Sequence, residues 1–217
     1  MSKYQFVQLK IGLKQLISQG RNHERNSSKP TKTKSKLLKK IEIETSQLQD
    51  NEVIIFSDEA GIKLDADLGK IWAPKGDQPE ITTHSPIGRL NLTGFVCPCR
   101  RELIINQIEW GNALNFIEQL KLLQVAYKDF LVKLYVDNAR WHKTKAVFDW
   151  IAKSENIQLN FLPKYAAKAN PMERHWWYLR KRKTKNKVFD SKEECMNSVC
   201  EHLTEIDKET IYRICQV

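Results

Sequence analysis

The stretch VIIFSDEAG, residues 53–61, decides how this chain folds. Its first four residues are apolar without a break, as in a strand buried on both faces. The run ends in SDEAG, which places Asp58 just past the strand. Residues 130–142, FLVKLYVDNARWH, repeat the pattern, with Asp137 closing a second apolar strand. Ligands of open α/β sheets bind beyond the carboxyl ends of the strands. Were these strands parallel neighbours, about 5 Å apart, their aspartates would stand side by side. Like charges that close are unfavourable unless a cation joins them. Hard carboxylate oxygens suit Mg2+ or Mn2+. Taken singly, either aspartate reads more simply as a turn residue.

Working outward, LNLTGFV (90–96) leads through Pro98 to ELIINQIE (102–109), and the two alternate enough for a hairpin or meander. Ala113, Phe116, Ile117, Leu120, Leu123 and Tyr127 form a helical stripe. Residues 143–153 read as a helix with Val147, Trp150 and Ile151 on one face, and IQLNFL (157–162) as a last strand. Asn170 opens another helix. The order is three strands, helix, strand, helix, strand, helix. It predicts an α/β fold: a mixed sheet flanked by helices, in the strand order of a ribonuclease H-like domain, over residues 50–190. Residues 191–217 read as one acidic C-terminal helix. Residues 1–49 read as a basic N-terminal arm. In it, Tyr4, Val7 and Ile11 predict a short amphipathic helix over 4–18, and 20–36 has no apolar residue and reads as a flexible linker. A further helix is expected over 37–48.

The third carboxylate lies in NPMERHWWYLRKRKTKNK, residues 170–187. Asn170 suits the N-cap, Pro171 the first helical position, and Glu173 the third, where the helix dipole favours its charge. Met172, Trp176 and Leu179 form the stripe that holds the helix down, and Trp177 beside it reads as packing. Three carboxylates holding two divalent ions are what an in-line phosphodiester displacement needs.

Charge sharpens this reading. Of a net +10, residues 1–48 carry 11 Lys/Arg against 3 Asp/Glu, and residues 174–187 carry 7 against none. The middle, 49–173, is nearly balanced at 15 against 16. Two basic blocks flanking a neutral centre suit a polyanion such as nucleic acid. Arg180, Lys181, Arg182, Lys183, Lys185 and Lys187 are the expected phosphate contacts, with Lys143 and Lys164 as further backbone contacts. Asn138 and His142 are candidates to touch phosphate or to order the metal site. Five cysteines without zinc spacing fit a reduced, intracellular protein. No apolar run approaches the ~18 residues of a membrane span.

FSDEAGI, WAPKG, VDNARWHK and LPKYAAKANPMERHWWYLRKR resemble, in that order, the catalytic domain of mariner-like superfamily transposases, in the bacterial insertion-sequence branch. The likeness covers about residues 50–190. Asp137 and Glu173 have 35 residues between them. The resemblance places an Asp-Asp-Glu triad on Asp58, Asp137 and Glu173, both catalytic and metal-binding, on a ribonuclease H-like fold. It implies two Mg2+ or Mn2+ ions, nicking of transposon ends by water, and attack of the freed 3′-hydroxyl on target DNA at the dinucleotide TA. It also implies double-stranded DNA as partner, a homodimer in the active complex, no membrane, and a bacterial, cytoplasmic, nucleoid-associated setting. Two departures stand out. Members usually read Tyr-Ser-Pro-x-Leu-Asn-Pro where this chain has YAAKANP, 165–171. They also carry a long N-terminal helix-turn-helix region, for which 1–48 is too short. The chain is therefore expected to be a truncated reading frame, or half of a protein completed by another chain. A remnant that only binds nucleic acid, and a purely hydrolytic ribonuclease H-like nuclease, are the alternative readings.

Overall fold

The computed structural model describes residues 4–8, 10–11, 32–77, 79–163 and 170–215. In chain order the elements are β1 (Tyr4–Gln8), β2 (Lys10–Ile11), α1 (Lys32–Ser46), β3 (Glu52–Lys63), β4 (Lys70–Pro74), β5 (Glu80–Ile81), β6 (Arg89–Cys97) and β7 (Glu102–Ile108). There follow α2 (Ala113–Ala126), β8 (Leu131–Val136), α3 (Lys145–Ile151), β9 (Ile157–Phe161), α4 (Pro171–Leu179), α5 (Lys192–Glu205) and α6 (Lys208–Cys215). The main sheet runs β7-β6-β3-β8-β9. Its β7, β6 and β3 are antiparallel, whereas β3, β8 and β9 are parallel. This is the mixed sheet that the order of elements predicts.

Strand alternation divides the core between the two faces of the sheet. Ile54 and Phe56 of β3 and Tyr135 of β8 join Met172, Trp176 and Leu179 of α4 and residues of α1, α5 and α6. Val53 and Ile55, with Val132, Leu134 and Val136, meet Phe116, Leu120 and Leu123 of α2 and Val147 of α3. Burial on both faces explains why VIIF and the apolar part of LYV show no polar break.

Three expectations are corrected. Residues 4–8 form a strand, antiparallel to β4, in place of the start of a helix. Tyr4, Phe6 and Val7 are aromatic or β-branched and favour an extended chain once β4 offers a free edge. The rest of that expected helix lies outside the described residues, apart from the short β2. The linker ends sooner than expected, since α1 begins at Lys32. The acidic tail is two helices, not one: Asp207 accepts from the Thr210 backbone at 2.6 Å and restarts the chain as α6. WAPKG makes a turn, with Gly76 at φ +102° and Asp77 N donating to Pro74 O at 3.0 Å. None of the described helices is long and apolar enough to cross a membrane. The five cysteines are free thiols.

Candidate active site

Asp58 stands inside β3 and not past its end. The parallel pairing of β3 with β8 stops at Phe56, opposite Tyr135, while the antiparallel pairing with β6 continues to Lys63. On the β8 side the sheet therefore opens just where Asp58 appears, and Asp137 leaves β8 immediately after Val136. The parallel neighbours that the sequence suggested are present; alternation with Phe56 carries Asp58 toward the α4 face, while Asp137, past the end of β8, reaches the buried His142 beside Phe116. Asp58 faces Gly94 across the β3–β6 ladder.

Asn170 brings the third carboxylate there. Its side-chain Oδ1 accepts from Met172 N at 3.0 Å, the N-cap of α4, and its Nδ2 donates to the Ser57 carbonyl at 2.8 Å. One buried amide thus starts the helix and ties it to β3 beside Asp58. Gly94 lets α4 come close. A Cβ there would lie 2.3 Å from Met172 Cε and 2.7 Å from Trp176 Cζ2. Glu173, in the first turn, is exposed at the sheet opening.

The electrostatics show the crowding. Burial, then the negative charges of Glu173, Glu59 and Asp137, push the Asp58 carboxyl up to about 8. Asp137 is held below the ordinary carboxylate range, first by its contact with His142, against the opposing cost of burial. His142 is 2% exposed and lies between two acids, with Nδ1 3.0 Å from Asp137 Oδ1 and Nε2 3.0 Å from Glu59 Oε1. The Asp137 contact is close, but Nδ1 does not point squarely along a hydrogen bond. Burial opposes charge on this imidazole, yet the two carboxylates outweigh it and hold its pKa up at about 9. Trp141 Nε1 also comes within 3.0 Å of Nε2, closing the ring in.

The donor set is hard, anionic and uncompensated at Asp58, which fits a divalent cation. Among the described residues no group of three or more His, Cys, Asp or Glu side chains is drawn together closely enough to hold an ion as it stands.

The remaining sequence candidates separate. Asn138 donates to the Leu162 carbonyl and accepts from Lys143, locking the end of β8 to the end of β9. Lys143 also lies over the Phe161 ring at 4.7 Å. Lys164 falls outside the described residues. Arg180–Thr184 continue α4 as a wide, π-helical turn. Lys181, Arg182, Lys185 and Lys187 are exposed and Arg180 is half-buried. Lys183 is turned inward, 3.3 Å from Glu201 and 2.7 Å from Glu205 of α5, and its charge is used within the fold.

A cleft of about 670 Å³ opens between Asp58 and Asp137, walled by Trp110, Trp141, Arg89 and Asn91. One residue here was not singled out in the sequence, and another was read differently. Glu59 was legible only as the alternation partner of Asp58, pointing to the opposite face from it. Trp177 reads as packing but is 62% exposed: it follows Trp176 by one residue, about 100° around the helix, and so leaves the core.

Residues 53–195 match the family model described as DDE superfamily endonuclease. The "Insertion element IS630 uncharacterized 39 kDa protein" of Shigella sonnei is 24% identical over 147 residues, 67% of this chain and 43% of that protein. The chain thus spans less than half the length of this curated relative. The crystal structure of the catalytic domain of Mos1 mariner transposase is similar in fold, with a TM-score of 0.58 at 18% identity, covering 84% of this chain and 83% of that one. The Mos1 mariner paired end complex with Mn gives 0.62 at 21% identity, covering 94% of this chain and 63% of that one. The ribonuclease H-like fold is the one these structures share with it. By its matched residues, the chain belongs to the DDE superfamily endonuclease family.

Proposed function

We propose that this chain cleaves phosphodiester bonds in DNA as the catalytic domain of a transposase, and that Asp58, Asp137 and Glu173 are its catalytic carboxylates. The observation that carries the reading is the state of Asp58. Burial first, and then the negative charges of Glu173, Glu59 and Asp137 gathered beside it, make its ionised form costly, and a divalent cation relieves that cost. Asp58, Asp137 and Glu173 would hold Mg2+ or Mn2+, with two ions as in the usual two-metal displacement. When bound, such ions supply Lewis acidity toward the phosphoryl oxygens and lower the pKa of water. His142 and Glu59 hold the Asp137 carboxylate in place. Exposed Lys181, Arg182, Lys185 and Lys187, with half-buried Arg180, lie beyond Glu173 where the DNA backbone can follow. Cleavage by water frees a 3′-hydroxyl, and its attack on a target phosphodiester joins the strands. The similar Mos1 transposase was solved as a paired-end complex with left transposon end, which supports transposon ends as substrate; joining two ends calls for two chains in the active complex. DNA of the bacterial cytoplasm is the setting that follows.

The test is nicking of supercoiled plasmid with and without Mg2+, wild type against Asp137→Ala. Wild type is expected to nick only with the ion, and the variant to fall to background. Equal nicking by both would sink the mechanism, and no nicking by either would leave a chain that only binds DNA.

A further inference from the structure

Two adjacent tryptophans on α4 have opposite surroundings. Trp176 is 2% exposed against Gly94, and Trp177 is 62% exposed. A single exposed apolar side chain needs no explanation by itself. The position of Trp177 gives it one. It follows Glu173 by four residues, and residues four apart share a helix face, about 6 Å apart along the axis. Lys181, four residues further, sets its Nζ 5.0 Å from the centre of the Trp177 ring. Carboxylate, indole and ammonium therefore follow one another along one exposed stripe. Residues 174–187 around it contain seven Lys/Arg and no acid.

We infer that Trp177 is a stacking platform for one unpaired base of the DNA strand whose phosphate lies at Glu173. This rests on the DNA-cleaving function proposed above and adds the form of the substrate. Inside a duplex both faces of a base are covered by its neighbours, so the indole takes a base that has left the stack. One helical turn from Glu173 is within reach of a base from its own phosphate. Charge favours this occupant over an apolar protein surface: the stripe ends in Lys181, and every charged residue of 174–187 is a cation. Sequence tolerance follows too, because stacking uses the π-face that every base has.

The test compares binding of a thymidylate single strand and of a blunt duplex of equal length, read by fluorescence anisotropy. Trp177→Ala is expected to weaken the single strand about tenfold and the duplex less than about twofold. Trp177→Phe should recover most of the loss, which a merely structural defect would not allow. Lys181→Ala should lower the salt slope for both DNAs by about one. An unchanged single-strand affinity in Trp177→Ala, or equal losses on both DNAs, overturns the inference. A wild type that binds neither DNA overturns the proposed function, and the inference with it.

Discussion

Two groups of ionisable side chains meet on α4, and burial treats them in opposite ways. At the sheet opening, Asp58 is crowded by Glu173, Glu59 and Asp137, and its carboxyl rises to about 8. Behind it, His175 is fully buried, its ring 5.1 Å from that of His202, with no hydrogen-bond partner on either nitrogen among the described residues. Burial first, then the neighbouring His202, drives His175 down to about 3. Both groups are pushed toward neutrality, but only the first has partners of one sign around it. The difference separates a place built to receive a cation from one that is simply dry.

The largest expected effect breaks the first half of that contrast. A carboxyl whose pKa is raised on folding stabilises the fold fully below its unfolded pKa, and loses that contribution as pH rises through the folded value. Metal-free wild type should therefore lose a few kcal/mol between about pH 4 and pH 8, relative to Asp58→Asn. Millimolar Mg2+ should raise Tm at pH 8 in wild type and not in the variant. Parallel Tm-against-pH curves for the two proteins would show that Asp58 is not strained.

Glu59→Gln tests whether the site needs its outer carboxylate. Outer-shell partners of metal ligands typically contribute 10–100-fold in activity or metal affinity. Nicking is expected to fall by that range, with a higher Mg2+ requirement and a Tm near that of wild type. If activity drops without any change in the Mg2+ requirement, Glu59 does not act through Asp137.

His175→Leu probes the dry half. A base whose pKa is lowered on folding contributes stability that is present above its unfolded value and lost as pH falls toward the folded one. Wild type should thus weaken from about pH 6.5 down to about pH 3, and the leucine variant should weaken less. Removing an unpaired buried polar group should also add about 1 kcal/mol at neutral pH, read by urea unfolding. A variant less stable than wild type across the whole range would mean that the imidazole has a bound partner such as water.

The smallest effect concerns the basic run. Lys183 is 11% exposed and already paired with Glu201 and Glu205. Lys183→Ala should leave the salt dependence of DNA binding nearly unchanged, while the exposed Lys187→Ala should reduce its slope by about one. Equal changes would place Lys183 on the DNA.

Much of this was legible because it depends on short-range pattern. VIIF and LYV announce buried strands, and Asn170-Pro171 announces a helix start, since each follows from local periodicity or capping. The positions of Asp137 and Glu173 at the edges of such elements were legible for the same reason, whereas Asp58, expected past the end of its strand, lies inside β3. What was hidden depends on partners distant in the chain. That β3 outruns β8 is a matter of register, which no strand carries alone. That Lys183 is occupied requires knowing that α5 folds back across the turn after α4. That Tyr4–Gln8 is extended depends on β4, more than sixty residues away. Trp177 was misplaced because two consecutive tryptophans cannot both face the core of one helix, and composition does not say which one does.

Gly94 touches no substrate in any step proposed for this chain, yet the reach of Glu173 toward Asp58 depends on what that residue lacks. A methyl group there would meet the flexible end of Met172 and the rigid Trp176 ring, and yielding at the ring would shift the helix that carries Glu173. The alignment of the site is thus written partly as empty space, in a strand whose own residues have no chemistry to lose. A survey of tolerated substitutions would find Gly94 restrictive, for a reason that no inspection of the acids would reveal.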